Sequence, residues 1–256
     1  MRQFVLPPDW DGSTELVLRG KAHHYLSRVL RFHPGQSFTG CTPAGEIFDL
    51  TLKEGGRDFS VVVPLSSPRG QPPPEFLPEI FLFPSLLKGK NPSLIVRQAA
   101  EAGVAQVQFI RTQNGVVRGE AFRTDRFQAI LREAAQQSGN PGLPRLKPPV
   151  GLGELDLERC LTGGPAPGLG LFFHEKRLAT QTLHEYLKNQ TGPVFLFFGP
   201  EGGFAPAEVE RFLASGLKPA YLGGNVLRAE TAVIFGIAAV LTILREKSAW
   251  QWKEPT

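Results

Sequence analysis

Two apolar runs, Leu169-Gly170-Leu171-Phe172-Phe173 and Val194-Phe195-Leu196-Phe197-Phe198, constrain this chain more than any other feature. Neither alternates apolar with polar residues, as a strand with one wet face must. Short, continuous and bounded by turn residues, they read as strands covered on both faces, the condition of a parallel sheet packed between helices. The chain around them keeps that rhythm from Glu79 onward. Ile80–Phe83 and Val107–Ile110 read as further strands, and Pro92–Gly103 and Asp125–Ser138 as helices. Pro206–Ser215 reads as an amphipathic helix, with Pro206 suited to its first turn and Gly216 to its end. Ala220–Leu222 reads as the last strand and Glu230–Leu244 as the last helix. The expected fold class is therefore α/β, with ligand loops at the carboxyl ends of the strands.

The first 65 residues follow a different pattern. Glu15–Leu18, Ser37–Gly40, Glu46–Leu52 and Phe59–Val63 are short β-rich pieces separated by turn signals such as Pro34-Gly35 and Gly55-Gly56. One helical stretch, Lys21–Arg31, interrupts them. Short strands at such spacing suggest a small β-barrel. Ser66–Pro78, SSPRGQPPPEFLP, then reads as a stiff Pro-rich connector. Two domains are expected, 1–70 and 78–248, in a chain of 256 residues whose 41% hydrophobic content suffices for a core.

The net charge of +4 is unevenly placed. Residues 76–147 carry 10 Lys/Arg against 5 Asp/Glu, beginning at Lys88 and Lys90, while the segments on either side are close to balanced. Such an excess fits either a polyanionic partner, most simply nucleic acid, or an ordinary solvated face. Cys41 and Cys160 stand at no metal-site or CxxC spacing, and no His/Cys/Asp cluster calls for a metal. There is no charged-then-apolar leader, and the longest apolar run, Ala232–Leu244, is too short to cross a bilayer. A cytoplasmic protein without a membrane partner is expected.

Each of two strand ends is followed by glycines. Gly199-Pro200-Glu201-Gly202-Gly203 succeeds one strand, and Leu222-Gly223-Gly224-Asn225-Val226-Leu227-Arg228-Ala229-Glu230-Thr231-Ala232 continues another. Glycine lets a ligand approach the backbone, and the amides at a helix start can face it. Neither loop is a GxGxxG fingerprint or a GxxxxGK[ST] element, so dinucleotide and P-loop folds find no support. Taken alone, the first loop reads as a plain connection; the second loop changes that reading. In the second, Glu230 and Thr231 could merely cap the helix. Arg228 is unfavourable there on dipole grounds, so it answers another need, a ligand or a neighbouring carboxylate.

GPEGGF followed by LGxxxLRxETA resembles the SPOUT superfamily of methyltransferases, specifically the bacterial 16S rRNA (uracil-N3)-methyltransferase family. The resemblance runs through nearly the whole chain. His23-His24-Tyr25-Leu26-Ser27-Arg28-Val29-Leu30-Arg31 with Pro34-Gly35 is similar to that family's N-terminal PUA-like RNA-binding domain. Lys88-Gly89 and Ala100–Val104 resemble the first helix of its catalytic domain; Gln137-Ser138 with Pro144, and Phe173-His174-Glu175, match later segments. Membership would imply a small PUA-like β-barrel followed by a SPOUT-like domain whose parallel sheet carries a trefoil knot, a rare exception to unknotted chains. It would imply S-adenosyl-L-methionine as cofactor, 16S rRNA or the 30S subunit as substrate, and a homodimer to which the Ala232–Leu244 helix could contribute. The cofactor residues it implies are Phe173 and His174, then Gly199, Pro200, Glu201, Gly202 and Gly203, then Leu222, Gly223, Val226, Leu227 and Thr231. Arg28, Arg31 and Lys88 would meet RNA; three apart on one helical face, Arg28 and Arg31 fit phosphate contact or a solvated pair alike.

The chemistry can be reasoned independently of the resemblance. Uracil N3 is protonated and weakly nucleophilic, so methylation requires its proton to leave and the methyl donor to lie in line. A fixed cation near O2 or O4 would stabilise the charge developing on the base. Arg228 suits that role, held by Glu230 or by a partner subunit. His174 could serve as a base or as a hydrogen-bonded structural residue. The resemblance breaks at Asn91-Pro92-Ser93, Asn114, Gln136, Asn140 and Asn225, where the family usually carries charge. A paralogue that binds RNA without catalysis, or an enzyme acting at another position such as a ribose hydroxyl, would show the same departures.

Overall fold

The structure, a computed structural model, describes residues 4–7, 10, 12, 14–42, 46–67, 77–117, 122, 124–138 and 143–248. Asn140 and the side chain of Gln136 lie outside the described residues. The chain divides into two compact units. Met1–Pro74 groups with Arg132–Leu143, and Glu75–Leu131 groups with Pro144–Thr256.

The first unit contains β1 (Phe4–Val5), β2 (Leu16–Arg19), α1 (Gly20–His24), β3 (Ser37–Cys41), β4 (Ile47–Gly55) and β5 (Phe59–Pro64). The strands pair in the order β1-β3-β4-β5-β2, antiparallel except for β1 beside β3. Along β4 the side chains of Phe48, Leu50 and Leu52 are buried and their neighbours are not, the alternation of a sheet with one covered face. They join Phe4, Leu6, Leu18, Leu26 and Val62 in one core. His23 is buried against β5. Its Nε2–H donates to the Arg57 carbonyl (3.1 Å), which leaves Nδ1 to accept from the Ser60 hydroxyl (2.9 Å).

The helical stretch expected over Lys21–Arg31 is observed over residues 20–29, but it is not one regular α-helix. After α1 the chain widens into a π-helical turn, Tyr25–Val29, where the Leu30 amide bonds back to the Tyr25 carbonyl (2.9 Å). The wider turn lets Leu26, Leu30 and Phe32 all reach the same core. Arg31 lies beyond the turn at φ +56°, so Arg28 and Arg31 do not share a helical face, though both are exposed.

The second unit alternates strand and helix. β6 (Ile80–Pro84), α2 (Asn91–Ala102), β7 (Gln106–Arg111), α3 (Thr124–Ser138) and β8 (Arg145–Gly151) come first, with α3 grouping with the first unit from Arg132 onward. They are followed by α4 (Leu157–Thr162), β9 (Leu169–Phe173), α5 (Leu183–Leu187), β10 (Val194–Phe198), α6 (Pro206–Ala214), β11 (Lys218–Ala220) and α7 (Ala229–Ser248). The strand order is β11-β9-β10-β6-β7-β8 and every pairing is parallel. The α/β class read from the two apolar runs is thus observed: β9 and β10 are neighbours, and all five residues of β10 are buried. One face of the sheet packs Phe83, Phe172, Phe195 and Phe197 against Phe204 and Phe212. On α7, Val233, Ile237, Val240 and Leu244 are buried at helical spacing, while Phe235 is 53% exposed.

Two strands differ from expectation. β8 is an edge strand containing Pro148 and Pro149, whose missing amides coincide with an irregularity in its pairing to β7. Their carbonyls are used instead, accepting from the Gln108 side chain (3.1 Å) and the Arg111 guanidinium (3.2 Å). The last strand is Lys218–Ala220, not Ala220–Leu222. The His174 amide donates to the Ala220 carbonyl (3.1 Å), and the ladder ends there, releasing Tyr221 and Leu222 into a loop. Among the described residues no helix is long and apolar enough to cross a membrane.

Candidate functional site

β11, β9 and β10 lie side by side, so their carboxyl ends deliver three loops to one edge of the sheet. Between these loops is a cavity of about 520 Å³. Phe173 and Phe198, the last residues of β9 and β10, are paired in register. Their rings stack at 4.3 Å with 5° between planes, and both line the cavity. Gly236 of α7 leaves the space they occupy: a Cβ there would lie 2.5 Å from the Phe198 ring.

The loop after β10 is a tight turn in which the Gly203 amide donates to the Pro200 carbonyl (2.9 Å). Gly203 has φ +68°, a conformation open to glycine at little cost. The loop after β11 contains two consecutive left-handed residues, Gly223 (φ +74°) and Gly224 (φ +67°). It then runs through Asn225, Val226 and Leu227 to Arg228, the residue before α7 begins. The Arg228 carbonyl accepts from the Ala232 amide (2.8 Å), and Glu230 stands in the first turn, where a carboxylate complements the exposed amides.

The structure brings most of the expected residues together. Phe173 and His174 line the cavity with Gly199, Pro200, Glu201 and Gly203; so do Leu222, Gly223, Val226, Leu227, Arg228 and Glu230. Gly202 and Thr231 do not: Gly202 turns toward Asn114, and Thr231 is exposed on α7. Lys88 is exposed in the loop after β6 and is not a lining residue, whereas Asn91, three positions on, is. Arg28 and Arg31 belong to the other unit. Glu175 and Tyr221 also line the cavity without having been assigned to it from sequence, and Gly224 and Asn225 line it from within the expected Leu222–Leu227 loop. Tyr221 could have been found had the last strand been ended correctly.

Three carboxylates, Glu175, Glu201 and Glu230, share this cavity with the Arg228 guanidinium. Arg228 is exposed and has no ion-pair partner among the described residues, so the expected pairing with Glu230 is not observed. Arg111 and Arg145, part of the basic middle segment, are tied instead to Glu154 (3.9 Å) and Glu79 (3.7 Å). His174 Nδ1 accepts from the Lys176 amide (3.0 Å), a bond that occupies its lone pair and braces the loop after β9. That atom is a structural acceptor here, not a free base. A second cavity, about 650 Å³, opens at the amino ends of β6 and β10. Its Cys160 thiol is pushed up by burial and by the nearby Asp156, which disfavours a nucleophilic thiolate. Among the described residues no His/Cys/Asp/Glu group could hold a metal ion.

Comparison with known proteins adds to this geometry. Residues 74–241 match the model of the RNA methyltransferase domain. A ribosomal RNA small subunit methyltransferase E of Synechocystis sp. is 29% identical over 252 residues, covering 94% of this chain and 78% of the relative. One of Mycobacterium bovis is 27% identical over 248 residues, covering 93% and 91%. The crystal structure of a ribosomal RNA small subunit methyltransferase E from Neisseria gonorrhoeae, bound to S-adenosyl methionine, superposes with a TM-score of 0.77. It is 25% identical and covers 95% of this chain and 98% of that one. With the family model spanning more than half of its length, the chain belongs to the RNA methyltransferase domain family.

Proposed function

We propose that this protein is an S-adenosylmethionine-dependent methyltransferase that modifies N3 of a uridine in 16S rRNA of the small ribosomal subunit. The observation that carries the reading is the cavity shared by the loops after β9, β10 and β11, with Arg228 among its lining residues. The family, and relatives named as small-subunit rRNA methyltransferases, support it.

The residues present fit the cofactor. Phe173, Phe198, Leu222 and Leu227 supply apolar lining for an adenosine group, and Gly199, Gly203 and Gly223 carry no side chain to obstruct it. Glu175, Glu201 and Glu230 supply negative charge suited to a cationic ligand. When bound, S-adenosylmethionine supplies an activated methyl group on a sulfonium. Arg228 stabilises the negative charge that grows on the pyrimidine as the N3 proton leaves, and it acts without a competing ion pair among the described residues. Remaining acceleration is a matter of holding the base in line, which the rigid strand ends favour.

The larger architecture belongs to the same reading. Residues 1–70 act as a PUA-like RNA-binding barrel, with the exposed Arg28 and Arg31 on phosphates, and residues 78–248 act as a knotted SPOUT domain. Lys88, exposed after β6, adds a phosphate contact. The exposed Phe235 supports a homodimer in which α7 meets a second copy. The protein works in the cytoplasm, where the subunit is.

Isothermal titration with S-adenosylmethionine tests the cofactor assignment. Saturable binding at one site per chain is expected, and the absence of heat at high protein concentration would sink it.

A further inference from the structure

Asn114 lies in the loop after β7, and the structure gives it a definite task. Its Nδ2 donates to the carbonyls of both Gly202 and Gly203, each at 3.2 Å. The two hydrogens of one amide group thereby hold two consecutive peptide units of the loop after β10. The neighbouring Gln113 amide donates to Glu208 Oε1 (2.8 Å), and the other oxygen of Glu208 accepts from the Ala205 amide (2.8 Å). The loop after β7 is thus fastened to the glycine loop at Gly202 and Gly203 and to the start of α6.

This matters because the loop is otherwise free to vary. Three of its five residues are glycine, and glycine carries the largest backbone entropy to be lost on ordering. Its one internal bond, Gly203 amide to Pro200 carbonyl, closes the turn without orienting the Gly202 and Gly203 carbonyls. Asn114 holds both carbonyls without itself entering the cavity, which Gly203 lines and Asn114 does not. Close packing fits the same picture, because a Cβ on Gly202 would lie 3.3 Å from Asn114 Cβ.

We propose that Asn114 is a positioning residue that pre-forms the Gly199–Gly203 loop for the methyl donor. The inference rests on the cofactor assignment made above. It gives the neutral side chain at 114 a role in holding the site. Binding to a pre-formed loop avoids the ordering cost that a slack loop would incur.

The test uses the full-length chain and two readouts. Amide hydrogen exchange across the Gly199–Gly203 loop is followed without cofactor, and the dissociation constant for S-adenosylmethionine is measured by titration. Asn114→Ala should speed exchange in the loop and weaken cofactor binding about three- to tenfold, the order expected for two exposed neutral hydrogen bonds. Asn114→Asp, which replaces the donor by an anion facing two carbonyls, should do at least as much. Asn114→Gln, which keeps the amide, should recover part of the loss. Gly202→Ala pushes on Asn114 from outside the cavity and should reproduce the Asn114→Ala effect. Wild-type exchange and affinity in both the Ala and Asp variants would overturn the proposal. If the unmodified protein binds no S-adenosylmethionine, the cofactor reading fails, and the exchange data alone then decide the role of Asn114.

Discussion

Replacing Gly236 by alanine adds one methyl group at a crowded point between α7 and the sheet. Its Cβ would lie 2.5 Å from Cζ and 2.7 Å from Cε1 of Phe198, and 3.2 Å from Cζ of Phe173. Carbon atoms in contact rest at about 3.5–4.0 Å, so the Phe198 ring must retreat by about 1 Å. It cannot do so freely, because it stacks on Phe173 at 4.3 Å and both residues are buried. Overpacking of this kind costs about 1–3 kcal/mol. Alanine in place of glycine inside a helix returns about 1 kcal/mol. The balance is a destabilisation of about 1 kcal/mol, or a fall in Tm of about 2–4 °C for a domain of this size. Both rings line the cavity, so affinity for S-adenosylmethionine should fall in the same variant. Urea unfolding and calorimetric titration on one preparation read both effects. A Gly236→Ala protein that gains stability and binds cofactor normally would refute the packing argument, since only helix propensity would then be acting.

Two further outcomes follow from particular contacts. Arg228→Ala should lower turnover by about 10²–10³-fold, the range seen when one group stabilising transition-state charge is removed, with cofactor affinity largely kept; unchanged turnover removes Arg228 from the mechanism. Glu185 accepts from the amide (2.7 Å) and hydroxyl (3.0 Å) of Thr182, bonds that hold its carboxyl below the usual range. A lowered folded value means that its contribution to α5 is present above the ordinary carboxylate pKa and is lost as pH falls through the folded one. Carboxyl titration by NMR should show this low value, and Thr182→Ala should raise it; no change on that substitution would contradict the capping arrangement.

Much of the catalytic unit was legible because its signals are local. An unbroken apolar run as short as Val194–Phe198, bounded by turn residues, favours a strand covered on both faces, and the position of the glycine loops followed from that placement. Elements whose residues oppose their own structure were missed. Pro148 and Pro149 argue against a strand, yet β8 accommodates them at an edge where the ladder is irregular. The π-helical turn at Tyr25–Val29 arises from tertiary demand, the need to bury Leu26, Leu30 and Phe32 together, which periodicity within the segment does not encode. The same holds at the site. Motif positions identified Arg228 and the glycines, but the acidic lining residue Glu175 and the tie from Asn114 depend on which strands are neighbours. Strand order is a property of the whole sheet.

The central claim is methyl transfer to one atom of one base. Small-subunit RNA or subunits lacking the modification, incubated with this protein and S-adenosylmethionine labelled in its methyl group, can be digested to nucleosides and resolved by mass spectrometry. The account predicts label in 3-methyluridine and in no other nucleoside. Label on a ribose or on another base, or none from a protein that binds the cofactor, would contradict it.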